Sequence, residues 1–188
     1  MTEAPRGLAG VTQAAQSAPR GLPPVHLWNP AHCGEIDIRI RRDGVWLHEG
    51  TPIGREALVR LFSTVLRKDP DGVHLVTPVE KLRIEVEDAP FIAVRVDRRG
   101  DALVFATNVG DEVAAGPDDP IRVNIDAQTG EPAPYVHVRR GLEARIARPV
   151  FYELVELAET RETPQGPQYG VASQGAWFPI APAGEPRP

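Results

Sequence analysis

The sequence is poor in cysteine and in long apolar runs, and both shortages restrict the class of protein. Cys33 is the single cysteine among 188 residues, so an intramolecular disulfide is excluded and no zinc-knuckle spacing exists. The N-terminal segment, MTEAPRGLAGVTQAAQSAPRG, lacks the continuous apolar core of a signal peptide. No stretch approaches the roughly 20 apolar residues of a membrane span. We therefore predict a soluble protein of a reducing cytoplasm.

An excess of positive charge and the common catalytic motifs are also missing. The chain has 21 Lys and Arg residues against 26 Asp and Glu residues, a formal net charge of −5 that disfavours nonspecific binding to phosphate backbones. It contains no GxGxxG, no P-loop, no GxSxG and no HExxH motif. Neither a cofactor nor a metal site is predicted.

The chain is long enough for one domain or two small ones, and its composition suggests two halves between low-complexity ends. Residues 1–22 are rich in Ala, Gly, Pro and Gln without a period, which predicts a disordered arm. Residues 181–188 are rich in proline and are predicted to form a flexible tail. The polar stretch 108–120 separates an N-terminal half, residues 23–108, from a C-terminal half, residues 109–180.

The first half begins with patterns that predict a hairpin and a helix. Apolar and charged residues alternate over 36–40, as in a half-buried strand, and Asp43-Gly44 is typical of a hairpin turn. An apolar stripe with spacings of three and four residues predicts a core-facing helix over 58–66. We place Thr51 at the N-cap of this helix and Pro52 at its first position.

After the helix the pattern predicts strands again. Asp69-Pro70-Asp71-Gly72 is expected to stop the helix. Residues 73–76 and 82–86 are predicted strands, and the second alternates between apolar and charged residues. A further hairpin is predicted over 91–107.

The same order of patterns recurs in the second half. A strand pair is predicted over 121–138, a helix stripe over 151–158, and a turn and hairpin over 163–180. Pro149 should start or kink the helix near Arg148, because an interior proline removes a hydrogen bond. We therefore predict an internal duplication and an α+β fold of two similar halves, each a mostly antiparallel sheet (hairpin–helix–hairpin) packed on one helix.

Cys33 next to His32 suggests a nucleophile or a metal ligand, but strand geometry opposes both interpretations. Neighbouring strand residues point to opposite faces, so direct activation of Cys33 by His32 is unfavourable. Adding His26 or His48 gives three candidate zinc ligands, whereas a site needs four convergent groups or three and water. A structural role for Cys33 is favoured.

The candidate ligand-binding residues lie in a loop between two predicted strands and near two predicted helix starts. Loops on a rigid sheet commonly carry sites, helix N-termini attract anions, and an arginine pair can hold a carboxylate or phosphate bidentately. The alternative is that these charges only keep a small domain soluble. The candidates are Thr51, Arg55, Thr77, Glu80, Lys81, Arg139 and Arg140.

Short motifs spread over residues 23–180 resemble a bacterial family. They include Trp28-Asn29-Pro30, Gly50-Thr51-Pro52-Ile53, Thr107-Asn108 and above all Leu75-Val76-Thr77-Pro78-Val79-Glu80-Lys81. With these motifs the chain resembles the bacterial "domain of unknown function" family 1285. The resemblance implies a two-part α+β fold with repeated motifs, a proteobacterial cytoplasmic protein and a role in signalling or regulation. It implies no catalytic residues, since the family has no established activity.

Three functions stay open at this point. We favour a non-enzymatic ligand-sensing or adaptor protein in bacterial signal transduction, with a small anionic ligand or a protein partner. An enzyme acting on a small anionic metabolite would need a titratable group in a cleft, and Glu80, His74 and His137 are the candidates. A structural module would bind a partner chain through exposed edge strands. A homodimer is the base expectation for an oligomer, and no nucleic-acid or membrane partner is predicted.

Overall fold

A computed structural model describes residues 7–16, 21–125 and 129–183. The described residues form three helices and fifteen strands. They belong to two compact units, residues 1–90 and residues 91–188. Within the described ranges, every helix is too short or too polar to cross a membrane.

The first unit contains two helices and a six-stranded sheet. Its elements are α1 (Gly7–Gln16), β1 (His32–Ile40), β2 (Trp46–His48), β3 (Thr51–Pro52), α2 (Glu56–Thr64), β4 (Leu66–Asp69), β5 (Gly72–Val76) and β6 (Glu80–Val86). The sheet order is β3-β2-β1-β6-β5-β4, and β1 and β6 run parallel at its centre while the other neighbours are antiparallel. Two three-stranded meanders therefore meet at one parallel pair.

Alternation along β6 separates an apolar face of this sheet from a charged face. Leu82 and Ile84 are buried, whereas Arg83 and Glu85 are exposed, as the period of two along a strand requires. Glu80 falls on the buried side of this alternation, although it carries a carboxylate.

The second unit contains one helix, a six-stranded sheet and a three-stranded sheet. Its elements are β7 (Phe91–Arg99), β8 (Ala102–Thr107), β9 (Glu112–Ala114), β10 (Ile121–Ile125), β11 (Pro132–Arg139), β12 (Leu142–Ile146), α3 (Arg148–Glu156), β13 (Glu159–Thr163), β14 (Gly166–Ser173) and β15 (Ala176–Pro182). The large sheet has the order β10-β11-β12-β7-β8-β9, with β12 and β7 parallel, and the small sheet has the order β13-β14-β15. The helix α3 contacts β7 and β14.

One buried hydroxyl links the two sheets of the second unit. Ser173, on β14, accepts a hydrogen bond from the Leu103 N–H at 2.8 Å and donates one to the Ala115 carbonyl oxygen at 2.6 Å. Ser173 is 1% exposed, so water cannot replace either bond.

The predicted α+β fold is confirmed: the chain has two similar domains, each a mostly antiparallel sheet with a helix. When strands are numbered within each unit, both large sheets have the order 3-2-1-6-5-4. In the second unit this order corresponds to β9-β8-β7-β12-β11-β10. The helices occupy different places, however, because α2 follows the third strand of its unit and α3 follows the sixth. The segment equivalent to 36–48 in the sheet is therefore 91–107, not 121–138 as the sequence pattern suggests.

The boundary between the units differs from the predicted one. The hairpin formed by β7 and β8 belongs to the second unit, because Phe91 pairs with Ala144 of β12 in the central parallel ladder. The stretch 108–120 is not a linker but contains β9, which pairs with β8. Division falls at residues 90 and 91 rather than at 108 and 109.

Both predicted low-complexity ends contain regular structure. The predicted disordered arm includes α1, whose Val11 is fully buried and whose small residues allow helix α1 to contact α2. Residues 1–6 and 17–20 lie outside the described residues. At the other end Ala181 and Pro182 extend β15, where they pair with β14, and residues 184–188 lie outside the described residues.

The helix starts show one correction and one confirmation. Thr51 does not cap a helix: it pairs with His48 in the ladder between β3 and β2, and α2 begins at Glu56. The helix ends at Thr64, so the turn at 69–72 connects β4 and β5 instead of stopping a helix. The helix α3 begins at Arg148 with proline in its first turn, as predicted.

Candidate functional site

Two of the predicted site residues lie at the edge of the first unit's sheet and at a helix start. Thr51 is exposed on the edge strand β3. Arg55 is the exposed N-cap residue of α2, where its side chain makes no capping hydrogen bond. A ligand-binding role for these two residues stays a prediction.

Thr77 and Glu80 form the turn between β5 and β6. The Thr77 hydroxyl oxygen accepts hydrogen bonds from the N–H groups of Val79, at 3.3 Å, and Glu80, at 3.1 Å. The Thr77 N–H donates to the Glu80 carbonyl oxygen at 2.9 Å. Thr77 is fully buried, so its side chain holds the turn and is not presented to solvent.

The side chain of Glu80 lies in an unusual environment for a carboxylate. It is 1% exposed, and its Oε1 atom has no hydrogen-bond partner among the described residues. Alternation along β6 puts it on the same side as the buried Leu82. An unpaired buried acceptor is costly, so we expect Glu80 to reduce the stability of the first unit.

The fifth predicted residue of this unit, Lys81, belongs to a charged cluster on the opposite side of β6. The Asp69 cluster comprises Arg67, Asp69, Asp71, His74 and Lys81. Strand register places Arg67 beside His74, because these residues pair across β4 and β5. Arg67 holds Asp69 bidentately with two N–O distances of 2.9 Å, and Lys81 Nζ lies 3.1 Å from the same carboxylate.

Burial and charge together set the protonation states in the Asp69 cluster. Burial alone would raise the pKa of Asp69, but hydrogen bonds and charge from Arg67 and Lys81 outweigh it and hold the pKa below its ordinary value. Burial lowers the pKa of His74, and the charge of Lys81 lowers it further against the opposing attraction of Asp71 and Asp69. The Asp69 carboxylate is thus ionised and the His74 imidazole neutral near pH 7.

The Asp69 cluster also contains a set of potential metal ligands. The ligand atoms of Asp69, Asp71 and His74 all lie within 4.8 Å of one another, and carboxylate and imidazole groups suit several divalent ions. However, the Lys81 ammonium lies 3.1 Å from Asp69 and 4.0 Å from Asp71, where a metal ion would have to compete with it. The charges of Asp69 and Asp71 are already balanced by Arg67 and Lys81, so the cluster has no net negative charge to attract a further cation.

Arg67 shows what the cluster does for the fold. Its Nη1 atom donates hydrogen bonds to the carbonyl oxygens of Val25, at 3.1 Å, and Trp28, at 2.7 Å. The guanidinium, oriented by Asp69, therefore ties the segment before β1 to the sheet. We interpret the Asp69 cluster as a structural element that stabilises the first unit.

Of the two predicted arginines of the second unit, Arg139 is held by structural contacts and Arg140 is exposed in a turn. Arg139 forms an ion pair with Asp111 and lies 4.8 Å above the centre of the Phe91 ring. Its side chain is only 13% exposed. Arg140 and Gly141 both have positive φ angles, 47° and 77°, in the tight turn between β11 and β12, a conformation typical of two-residue hairpin loops. Their ligand-binding role stays a prediction.

His137, a candidate for acid–base chemistry, has both ring nitrogens engaged. Its Nδ1 atom lies 2.7 Å from an Asp119 oxygen, and its Nε2 atom accepts the N–H of Gly141 at 2.8 Å. Because Nε2 accepts this N–H, the hydrogen-bond pattern assigns a ring proton to Nδ1, which donates it to Asp119. This arrangement supports the β11–β12 turn and leaves no nitrogen available for a substrate.

A concave site that the sequence did not indicate lies beside the start of α3. The α3 groove has a volume of about 330 Å³ and combines residues of β11, β12 and α3 with the residue before β11. Its lining residues are Glu131, Pro132, Pro134, Arg145, Ile146, Arg148, Phe151 and Tyr152. Small-molecule sites commonly have this size and this mixture of apolar walls and few charged groups.

The charged groups of the α3 groove are held with different strength. Arg148 forms an ion pair with Glu131 at 3.2 Å, and their side chains are 67% and 62% exposed. Arg145 is half-buried: its guanidinium lies 5.9 Å from the centre of the Tyr135 ring and 3.5 Å from the tyrosine oxygen. Because α3 begins at Arg148, the positive end of the helix dipole adds to the positive potential here.

Local sequence contains only fragments of this groove. Arg145 and Arg148 stand before the aromatic pair Phe151-Tyr152, and Pro149 between them predicts only a helix start. The opposite wall comes from β11, which is brought beside β12 by antiparallel pairing, with Tyr135 opposite Arg145. A site divided between two elements has no linear motif.

Comparisons with known proteins agree with this architecture. Residues 23–89 match the N-terminal domain, and residues 90–180 the C-terminal domain, of a domain of unknown function, DUF1285. A crystal structure of a DUF1285 family protein from Silicibacter pomeroyi is 49% identical, covers 93% of this chain and 96% of its own, and has a TM-score of 0.83. Another, from Shewanella baltica, is 28% identical, covers 63% of this chain and 90% of its own, and has a TM-score of 0.53. No curated protein matches. The chain therefore belongs to the DUF1285 family.

Proposed function

We propose that the protein is a non-enzymatic binding protein that senses a small organic anion in bacterial regulation. The α3 groove is the observation that supports this function. It combines two guanidinium groups, Arg145 and Arg148, with apolar walls and a helix N-terminus. Arginine pairs planar anions through two parallel hydrogen bonds, and the apolar walls would bury the rest of a ligand.

Catalysis has less support from the same geometry. Both nitrogens of His137 are engaged in its own turn, and His74 faces the carboxylates of the Asp69 cluster. Glu80 lies on the apolar side of β6. None of these three groups lines the α3 groove, so none of them could act as an acid or base on a ligand bound there.

A protein partner could instead pair with an exposed strand edge, and β13 is the strand to consider. It forms one edge of the three-stranded sheet, and its first four residues are exposed. These residues include Glu159, Arg161 and Glu162. Charged side chains on an edge strand oppose pairing with another chain, so the adaptor function is the weaker proposal.

The test is a thermal-shift screen of the full chain against carboxylates, phosphorylated metabolites and nucleotides. A ligand at about 100 times its Kd should stabilise the folded state by roughly 2.7 kcal/mol. The shift should shrink in Arg148→Gln and persist in Arg95→Gln, a control whose arginine is similarly exposed, at 57%, and ion-paired. A flat screen, or a hit that Arg148→Gln leaves unchanged, would refute binding in the groove.

A further inference from the structure

Of the two arginine side chains in the α3 groove, only Arg148 can exchange its partner for a ligand without loss of packing. Among the described residues, Arg148 has one ion-pair partner, the exposed Glu131, and exposed ion pairs of this kind are weak. Arg145 is held against Tyr135. The groove therefore offers one exchangeable positive charge, and Glu131 already occupies it as an internal anion.

Apart from the Tyr152 hydroxyl and Arg145, which is held against Tyr135, the remaining wall of the groove offers few partners to a polar ligand. Ile146 and Phe151 contribute apolar side chains. Pro132 and Pro134 lack a backbone N–H, so the β11 wall offers few donors to additional anionic groups. A ligand with several charges would leave some of them unpaired in this wall, and unpaired buried charges are unfavourable.

We propose that the α3 groove selects an apolar monocarboxylate, whose carboxylate displaces Glu131 from Arg148 and whose body lies against the proline and aromatic wall. The inference rests on the proposed binding function and narrows its ligand class. Glu131 then acts as a competing anion that lowers the affinity of the empty groove for any acid. The exchange requires no covalent step, because one carboxylate replaces another at the same guanidinium.

Isothermal titration of the full chain with phenylacetate and hexanoate, against succinate and inorganic phosphate, tests the ligand class. We expect the two monocarboxylates to bind at least about tenfold more tightly than succinate or phosphate. Arg148→Gln should weaken their binding by about tenfold or more, the effect of losing a charged hydrogen bond, and Arg148→Lys should weaken it less. Glu131→Gln should tighten it by up to about fivefold, the range of an exposed ion pair.

Glu159→Gln is the matched control for the competing anion. Glu159 is exposed and lies 3.8 Å from Arg161, outside the groove, so its substitution should leave affinity unchanged. Tighter binding of succinate or phosphate, lost in Arg148→Gln, would overturn the monocarboxylate inference while the proposed function stands. Binding that neither Arg148→Gln nor Glu131→Gln alters would overturn both, as would the absence of binding by any acid in the wider screen.

Discussion

Substitution of Glu80 tests whether a buried, unpaired carboxylate oxygen lowers the stability of the first unit. The side chain is 1% exposed and its Oε1 atom has no partner among the described residues. An unpaired buried acceptor costs about 1–3 kcal/mol, whereas methionine is apolar, unbranched and able to fill irregular space. Glu80→Met should therefore increase the free energy of unfolding of the first unit by about 1–3 kcal/mol.

Urea unfolding followed by tryptophan fluorescence can measure this change in the first unit alone. Of the three tryptophans, Trp28 and Trp46 lie in the first unit and Trp177 in the second, so a Trp177→Phe background makes the signal specific. With an m-value of about 1–3 kcal/mol/M, the midpoint should rise by roughly 1 M. Glu85→Met, at an exposed position of the same strand, loses an exposed ion pair with Arg39 and should change stability by about 0.5 kcal/mol or less.

A decrease in stability in Glu80→Met, with Glu85→Met neutral, would refute the reasoning. It would mean that the carboxylate makes a favourable interaction in the folded protein. An increase would instead show that the native residue is kept despite its cost. Residues that reduce stability are commonly kept for function, so an increase would make Glu80 a functional candidate of the first unit.

Three further outcomes are expected. Because the pKa of His74 is lowered in the folded state, the unfolded state binds more protons below about pH 6.5, and the free energy of unfolding should fall there as pH decreases. Urea titrations at several pH values should show a smaller fall in His74→Gln. An unchanged dependence on pH in this variant would contradict the lowered pKa. Ser173→Ala should cost about 2 kcal/mol or more, since two buried backbone groups lose their partner; a loss below about 0.5 kcal/mol in thermal unfolding would show that they find another. Arg139→Gln should destabilise the second unit by about 1–3 kcal/mol, because Asp111 loses its main charged partner, whereas Arg95→Gln should not.

Local patterns in the sequence predicted strands well and connections poorly, for a physical reason. Alternation over 36–40 and 82–86 depends only on which face of a strand is buried, and both strands are present. Thr51-Pro52 fits a helix start, but it fits an edge strand equally well, because proline is tolerated where no ladder hydrogen bond is needed. The pairing of Thr51 with His48 decides between the two, and no local pattern contains that pairing.

The unit boundary was missed because it depends on contacts distant in sequence. The parallel pairing of Phe91 with Ala144 places the 91–107 hairpin in the second unit. Parallel neighbours are joined by long crossovers, so neither strand contains a signal for the other. The polar composition of 108–120 then suggested a linker where the chain in fact forms β9.

The arginines of the second unit show why residue type alone does not identify a binding site. Arg139 and Arg148 both lie near a turn or a helix start in the sequence, and both can bind a carboxylate bidentately. In the fold, Arg139 is 13% exposed, paired with the partly buried Asp111 and stacked on Phe91, so a ligand would have to break packing to reach it. Arg148 is 67% exposed and paired with an exposed glutamate, so exchange costs little. Availability, which depends on burial and on the partner, makes Arg148 the residue on which ligand binding should depend.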